Sequence, residues 1–77
     1  MQIQDLELKI FQNLDELKKC ITKNFNVEDM EELDHADIDF QLDDELAFCD
    51  GEFDYSVYYM TGRSGRVIVV ETSKQSY

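Results

Sequence analysis

The chain has 77 residues, which corresponds to one domain near the lower size at which a single hydrophobic core supports a fold. Its formal net charge is −11, and hydrophobic residues make up 43% of the sequence. The apolar fraction excludes wholesale disorder, and the length excludes a catalytic cleft between two domains. We therefore expect one folded domain over residues 1–77.

The negative charge is concentrated in the middle of the chain. Thirteen of the thirty residues from 25 to 54 are Asp or Glu, and none of the thirty is Lys or Arg. Like charges crowded on a small surface repel one another and destabilise the folded state. The block therefore indicates a function that requires it, and the class of partner that it suggests is a positively charged surface.

Two helices are predicted in the first part of the chain. Over residues 3–24, apolar side chains recur every three or four positions, which predicts one long amphipathic helix. Its apolar stripe consists of Ile3, Leu6, Ile10, Leu14, Leu17 and Ile21. Asn26 and Asp29 have the spacing of a helix-capping pair, so a short acidic helix is predicted next. Its apolar side would comprise Val27, Met30 and Leu33.

From residue 36 the pattern changes to a period of two, which is typical of β-strands. Asp37, Asp39 and Asp43 alternate there with apolar residues, so we expect a half-buried strand with one acidic face. A second acidic alternation follows at Asp50, Glu52 and Asp54.

The last third of the chain predicts a β-hairpin. Two segments rich in tyrosine and β-branched residues flank the loop 62–65, which contains two glycines. With a four-residue loop, Thr61 pairs with Arg66, and the predicted core-facing side chains are Phe53, Tyr55, Val57, Tyr59, Ile68 and Val70. The predicted fold class is α+β, with one long N-terminal helix packed on a three- to four-stranded antiparallel sheet and a short acidic second helix.

The opposite face of this hairpin is half apolar and would show Ser56, Tyr58, Met60, Val67 and Val69. If the short helix does not cover it, an exposed apolar patch of this kind often marks an association surface. A small dimerising adaptor that uses Tyr58, Met60, Val67 and Val69 is therefore one functional hypothesis.

No catalytic, metal or cofactor site is predicted. His35 is the only histidine, and no nucleophile with an adjacent base can be inferred. Cys20, Cys49 and His35 fall short of the four ligands of a structural zinc site, and the acidic segment lacks the glycine and glutamate of an EF-hand loop. We therefore expect a protein that is not an enzyme and binds neither cofactor nor metal.

The same sequence bears on localisation. It has no secretory signal and no segment of membrane-spanning length, so we expect a cytoplasmic protein with no membrane partner. In a reducing compartment both cysteines would remain thiols, and we expect them to serve as small buried hydrophobic residues.

The rows of carboxylates carry the main functional hypothesis. Side chains two residues apart on one face of a strand are separated by about 6.5 to 7 Å, which is comparable to the phosphate spacing along a nucleic-acid strand. Asp37, Asp39 and Asp43 could therefore imitate a ladder of phosphates, and the second acidic row could do the same. A basic groove that binds nucleic acid would gain a similar electrostatic term from such a surface.

In size, acidity and lack of proline, and above all in residues 25–54, the chain resembles the phage-encoded inhibitors grouped as anti-CRISPR and anti-restriction proteins. The resemblance is compositional and covers no shared motif. It implies a stoichiometric inhibitor that docks on the basic nucleic-acid-binding groove of a host defence complex, in the cytoplasm of an infected cell, without binding nucleic acid directly. The predicted partner-binding residues are Asp37, Asp39, Asp43, Asp44, Glu45, Asp50, Glu52, Asp54, Tyr55 and Tyr58.

A second hypothesis comes from a different class of protein. An immunity protein or antitoxin that neutralises a basic nuclease toxin would also need an acidic face, together with exposed tyrosines at the centre of its interface. The sequence does not separate these two hypotheses, and a homodimer is compatible with both.

Overall fold

The computed structural model describes residues 1–33 and 44–76, which form an antiparallel sheet and a single α-helix. A 3-10 helix at Ile3–Leu6 is followed by strand β1 (Ile10–Phe11) and helix α1 (Leu14–Asn24). The remaining strands are β2 (Asp29–Leu33), β3 (Asp44–Cys49), β4 (Phe53–Thr61) and β5 (Val67–Ser76).

The five strands have the order β1-β5-β4-β3-β2, and every neighbouring pair is antiparallel. Helix α1 and the 3-10 helix pack on one face of this sheet. The buried core between them consists of Ile3, Leu6, Leu17, Ile21, Leu46, Phe48, Tyr55, Val57, Tyr59, Val67 and Val69. The other face of the sheet carries no helix among the described residues.

The prediction of one long helix over residues 3–24 is wrong. The 3-10 helix ends at Leu6, Glu7 is already extended, and Leu8 has a φ of 68°, in a region that non-glycine residues rarely adopt. Ile10 then pairs with Ile68 in the sheet, and α1 begins only after Asn13, whose side chain accepts a hydrogen bond from the Glu16 backbone amide. The apolar spacing resembled that of one continuous helix because the 3-10 helix and α1 both contribute side chains to the same core.

The predicted short acidic helix is also wrong, because that segment forms the edge strand β2. Met30 pairs with Phe48 and Leu33 with Glu45, so the segment satisfies its backbone groups by pairing with β3. The sheet accordingly has five strands and not three or four. The strand predicted from residue 36 lies, up to Asp43, outside the described residues.

The hairpin between β4 and β5 exists, but its register differs from the predicted one. Thr61 pairs with Val67, and the Gly62 amide donates to the Arg66 carbonyl at 2.7 Å across a longer loop. This one-residue shift turns β5 over, because side chains alternate between the faces of a strand. Val67 and Val69 are therefore buried, whereas the prediction placed Ile68 and Val70 in the core. A register shift between Tyr58 and Tyr59 then leaves Val70 as the extra residue of a β-bulge.

In the described part of the chain, α1 is the longest helix, and neither its length nor its apolar content is sufficient to cross a bilayer.

Candidate protein-binding surface

The sheet face opposite α1 is referred to below as the open face. Its members follow from alternation, since the neighbours of buried Leu46, Phe48, Tyr55 and Val57 point the other way. The strands contribute to it Ile10, Asp29, Glu31, Leu33, Glu45, Ala47, Cys49, Asp54, Ser56, Tyr58, Met60, Ile68, Glu71, Ser73 and Gln75.

The open face is acidic. Five carboxylates lie on it, namely Asp29, Glu31, Glu45, Asp54 and Glu71. None of the described strands contributes a Lys or Arg side chain to this face. The lysines lie on the helix side instead. Three of them belong to α1, and Lys74 Nζ stands 3.9 Å from the ring centroid of Phe53, on the same side of the sheet as Tyr55. The helix side thus carries lysines together with acids such as Glu16 and Glu32, whereas the described strands contribute only acids to the open face.

Strand pairing aligns the open-face side chains in rows across the sheet. In one row Cys49 lies between Asp29 and Asp54, and in the next Ala47 lies between Glu31 and Ser56. The small residues leave a shallow depression of about 180 Å³ with carboxylates along its sides. Among the described residues, no group of three or more His, Cys, Asp or Glu side chains is arranged to hold a metal ion.

The carboxylates of the open face are not neutralised by the two ion pairs within residues 1–33 and 44–76. Lys18 pairs with Glu32 at 3.2 Å and Lys19 with Glu16 at 4.0 Å, and both pairs lie on the helix side. Asp29, Glu31, Asp54 and Glu71 take part in neither pair. Glu45 is half-buried, and its Oε2 accepts a hydrogen bond of 2.8 Å from the Ser56 hydroxyl. The face therefore presents negative charge that a partner's cations can reach.

Asp50 plays a different part, because its carboxylate holds the turn between β3 and β4. Its Oδ1 accepts hydrogen bonds of 2.9 Å from the amides of both Glu52 and Phe53, and its Oδ2 accepts one of 3.0 Å from the Tyr55 hydroxyl. The two amide bonds lower the pKa of Asp50 below its ordinary value of 3.8. Burial, together with the bond to Asp50, raises the pKa of Tyr55 above 10.0. The carboxyl of Asp50 is thus engaged within its own turn.

The predicted site residues are divided among several places in the fold. Asp37, Asp39 and Asp43 lie outside the described residues. Glu45, Asp54 and Tyr58 meet on the open face, and Glu52 is exposed in the turn beside Asp50. Asp44 is half-buried and pairs with Tyr59, so it points to the helix side. Tyr55 is buried there too, and its ring stacks on Phe48 with centroids 4.7 Å apart.

Three acidic residues of the open face were absent from the predicted site, namely Asp29, Glu31 and Glu71. Asp29 and Glu31 were assigned to a helix, where they could not form a row with Asp54. The alternation of Asp29, Met30 and Glu31 was a signal for a strand, but three residues are too few to outweigh the apparent helix cap at Asn26. Glu71 reaches the open face through the bulge, which shifts the register of β5.

Both cysteines are free thiols and half-buried. Cys20 belongs to α1 and Cys49 to the open face, so they lie on opposite sides of the sheet.

Comparison of the chain with protein-family models, with curated proteins and with solved structures finds no significant match.

Proposed function

We propose that this protein is a non-enzymatic inhibitor whose acidic open face occupies a basic nucleic-acid-binding groove of a host defence complex of the CRISPR-Cas type, as a DNA mimic. The observation that supports the proposal is the composition of the open face. The described strands contribute five carboxylates to it and no Lys or Arg, whereas on the helix side acids and lysines are mixed and form two ion pairs. The proposed place of action is the cytoplasm of an infected cell.

The spacing of the carboxylates suits this role. Asp29 and Glu31 are two residues apart on one strand, a separation of about 6.5 to 7 Å. Asp54 lies two strands away from Asp29, a separation of about 10 Å. The charges therefore form a two-dimensional grid on the scale of neighbouring phosphates. Arg and Lys side chains that bind a phosphate backbone could engage the grid without reading any base.

A purely electrostatic contact would be weak in salt, and the open face also offers apolar contact. Tyr58 is half-buried on the face, and Met60 is 43% exposed beside it. Tyrosine at the centre of an interface often carries a large share of the binding energy. The acids would steer the partner, and this aromatic end would hold it.

The experiment compares two charge variants of equal net charge. In the first, Asp29→Asn, Glu31→Gln and Asp54→Asn neutralise the open face. In the second, Asp15→Asn, Glu16→Gln and Glu28→Gln neutralise exposed acids elsewhere. Each immobilised protein is incubated with a nuclease-treated host lysate, double-stranded DNA is added as competitor, and retained proteins are identified by mass spectrometry.

We expect the wild type to retain a nucleic-acid-binding protein that DNA displaces. The open-face variant should bind it about 100-fold more weakly, because three charge pairs of about 1 kcal/mol each are lost. The control variant should bind like the wild type. Equal binding by all three proteins, or binding that DNA does not displace, would contradict the proposal.

An immunity protein or antitoxin against a basic nuclease toxin is the second candidate, and the half-buried Tyr58 among the open-face acids favours it as much as it favours the inhibitor. The genomic neighbourhood distinguishes them, because an adjacent toxin gene supports the antitoxin and a phage or mobile-element context supports the inhibitor. In the lysate experiment, the antitoxin would retain a free nuclease and not a defence complex.

A further inference from the structure

The two ends of the open face differ in chemistry along the length of β4. At one end, the hairpin loop carries Arg63 and Arg66, which are exposed and make no ion pair with any described residue. At the other end stand Asp54 and, in the turn before it, the exposed Glu52. Nine strand residues of about 3.3 Å each separate the ends by about 30 Å.

An apolar row crosses the sheet next to the arginine end. Ile10 pairs with Ile68, and Ile68 pairs with Met60, so the three side chains are direct neighbours on three adjacent strands. Ile10 is 65% exposed and Met60 43% exposed, although both are large and apolar. An exposed row of this kind rimmed by charges is typical of a protein contact.

Whereas the apolar row protrudes, the row closer to the acidic end is recessed. It contains the small residues Ala47, Ser56 and Ser73, which line or adjoin the shallow depression. Tyr58 lies midway, since Met60 is two residues beyond it and Ser56 two residues before it. The open face therefore carries a ridge two residues to one side of Tyr58 and a hollow two residues to the other. Its positive end at Arg63 lies five residues beyond Tyr58, and its negative end at Asp54 lies four residues before it.

We infer that the open face binds the open face of a second copy of this chain, with the strands of the two sheets running in opposite directions and a two-fold axis near Tyr58. This operation places Met60 of each copy over Ser56 of the other. It also places the loop at Arg63 over Asp54 of the other copy, twice in each dimer. A self-complementary surface that closes in this way gives a dimer and not a chain of molecules.

The available area suits a weak, reversible dimer. The five strands contain 2, 5, 6, 9 and 10 residues, so at about 3.3 Å per residue and about 4.8 Å between strands their combined face measures about 500 Å², and its protruding side chains and hairpin loop enlarge the buried area. Weak and transient complexes bury less than about 1,200 Å² in total. Two stacked sheets are also a common architecture, so the contact needs no rearrangement of either copy.

This inference does not depend on the proposed function, but it has a consequence for it. The dimer would cover Asp54 and the depression, with the arginine loop of the second copy in the place that a basic groove would take. Binding of a basic target and self-association would therefore compete for one surface.

Sedimentation equilibrium of the full chain under reducing conditions tests the inference. We expect a reversible dimer for the wild type. Arg63→Glu and Asp54→Arg should each raise the dimer dissociation constant at least about tenfold, because each places like charges together twice. An equimolar mixture of the two variants should restore the wild-type constant, since the mixed dimer contains one native and one reversed charge pair.

The matched control mixes Arg63→Glu with Asp15→Arg, a reversal on α1, and this mixture should not regain the wild-type constant. A wild type that stays monomeric at every concentration overturns the inference and leaves the face to a different partner. A wild-type dimer that the single variants do not weaken also overturns it, because the contact then uses another surface.

A further variant tests the position of the axis. Glu71 pairs with Tyr58, so the two copies of Glu71 would lie near each other across the axis. Glu71→Gln removes this repulsion and should lower the dissociation constant severalfold. An unchanged or higher constant would contradict an axis at Tyr58.

Discussion

At the scale of single residues, Asp50 shows how an acid inside a negatively charged segment can be structural. The turn that it closes needs a residue with positive φ, and Gly51 supplies it with a φ of 94°. The carboxylate then accepts the two following amides, which would otherwise have no partner at the tight turn. Its bond to the Tyr55 hydroxyl ties this turn to the aromatic cluster of Phe25, Phe48 and Tyr55.

The lowered pKa of Asp50 predicts a pH dependence of stability. The folded state favours the charged carboxylate, so its contribution to stability is fully present above the ordinary, unfolded-state pKa of 3.8 and is lost as the pH falls through the lower folded-state pKa. We expect Asp50→Ala to lower the free energy of unfolding near neutral pH, and the difference from wild type to narrow on acidification. Chemical denaturation between about pH 2 and 7 measures it.

Glu52→Ala is the control for Asp50→Ala, because Glu52 is an exposed acid in the same turn, and its side chain accepts no hydrogen bond from any residue in 1–33 and 44–76. It should leave the free energy of unfolding nearly unchanged. A gap between Asp50→Ala and wild type that stays constant down to the lowest pH would contradict the assigned role.

At the scale of elements, α1 is short and depends on its first turn. It has 11 residues, fewer than an isolated helix needs for stability in water. Asn13 caps it through a bond of 2.9 Å to the Glu16 amide, and Asp15 and Glu16 place negative charge at the positive end of the helix dipole. Burial of Leu17 and Ile21 then attaches the helix to the sheet.

Replacement of the cap should therefore be measurable. Asn13→Ala is expected to lower the free energy of unfolding by about 1 kcal/mol, because the Glu16 amide loses its acceptor. Asn13→Ser, which keeps an acceptor at this position, should lose much less. Urea denaturation of both variants and the wild type measures the difference, and equal stability of all three would show that the cap contributes nothing.

The errors in the predicted elements have a common physical cause. Helical spacing in residues 3–24 and 27–33 was real, but tertiary pairing decided the outcome in both places. Ile10 pairs with Ile68 and Met30 with Phe48 on neighbouring strands, and no local sequence pattern predicts either pairing. A propensity for helix of a few tenths of a kcal/mol per residue is easily overridden by such pairing.

The hairpin and the candidate site show how far sequence reasoning could reach. The alternation of Tyr55, Val57 and Tyr59 correctly predicted the buried face of β4. The loop length was misjudged by one residue, and this alone reversed the faces of β5. The acidic character of the surface was visible in the composition, but its location was not, because Asp29 and Glu31 join Asp54 only through the order of the strands.

At the scale of the whole molecule, the net charge of −11 is distributed unevenly. The lysines of α1 lie over the core, and two of them pair with Glu16 and Glu32. On the open face, Asp29, Glu31, Asp54 and Glu71 form no ion pair with a described lysine or arginine. The electrostatic repulsion on this face therefore opposes folding, and the apolar core on the other side of the same sheet must offset it.

Salt should consequently stabilise the protein. Raising NaCl from about 20 mM to about 500 mM shortens the Debye length to a few ångströms and screens the repulsion. We expect Tm to rise, and to rise less in the variant with Asp29→Asn, Glu31→Gln and Asp54→Asn, which begins with less repulsion. Thermal unfolding monitored by circular dichroism measures both slopes. A Tm that falls with salt would indicate that attractive ion pairs dominate.

The sheet ends at β2, whose outer edge has no neighbouring strand among the described residues. An exposed strand edge can pair with the same edge of another copy, and repeated pairing of this kind produces fibrils. Three of the five residues of this edge strand are acidic, namely Asp29, Glu31 and Glu32. If β2 of a second copy paired with this edge, like charges would lie on adjacent strands and repel each other. A one-to-one inhibitor of the proposed kind would have to accumulate to the abundance of its target, and these edge charges would then oppose its polymerisation.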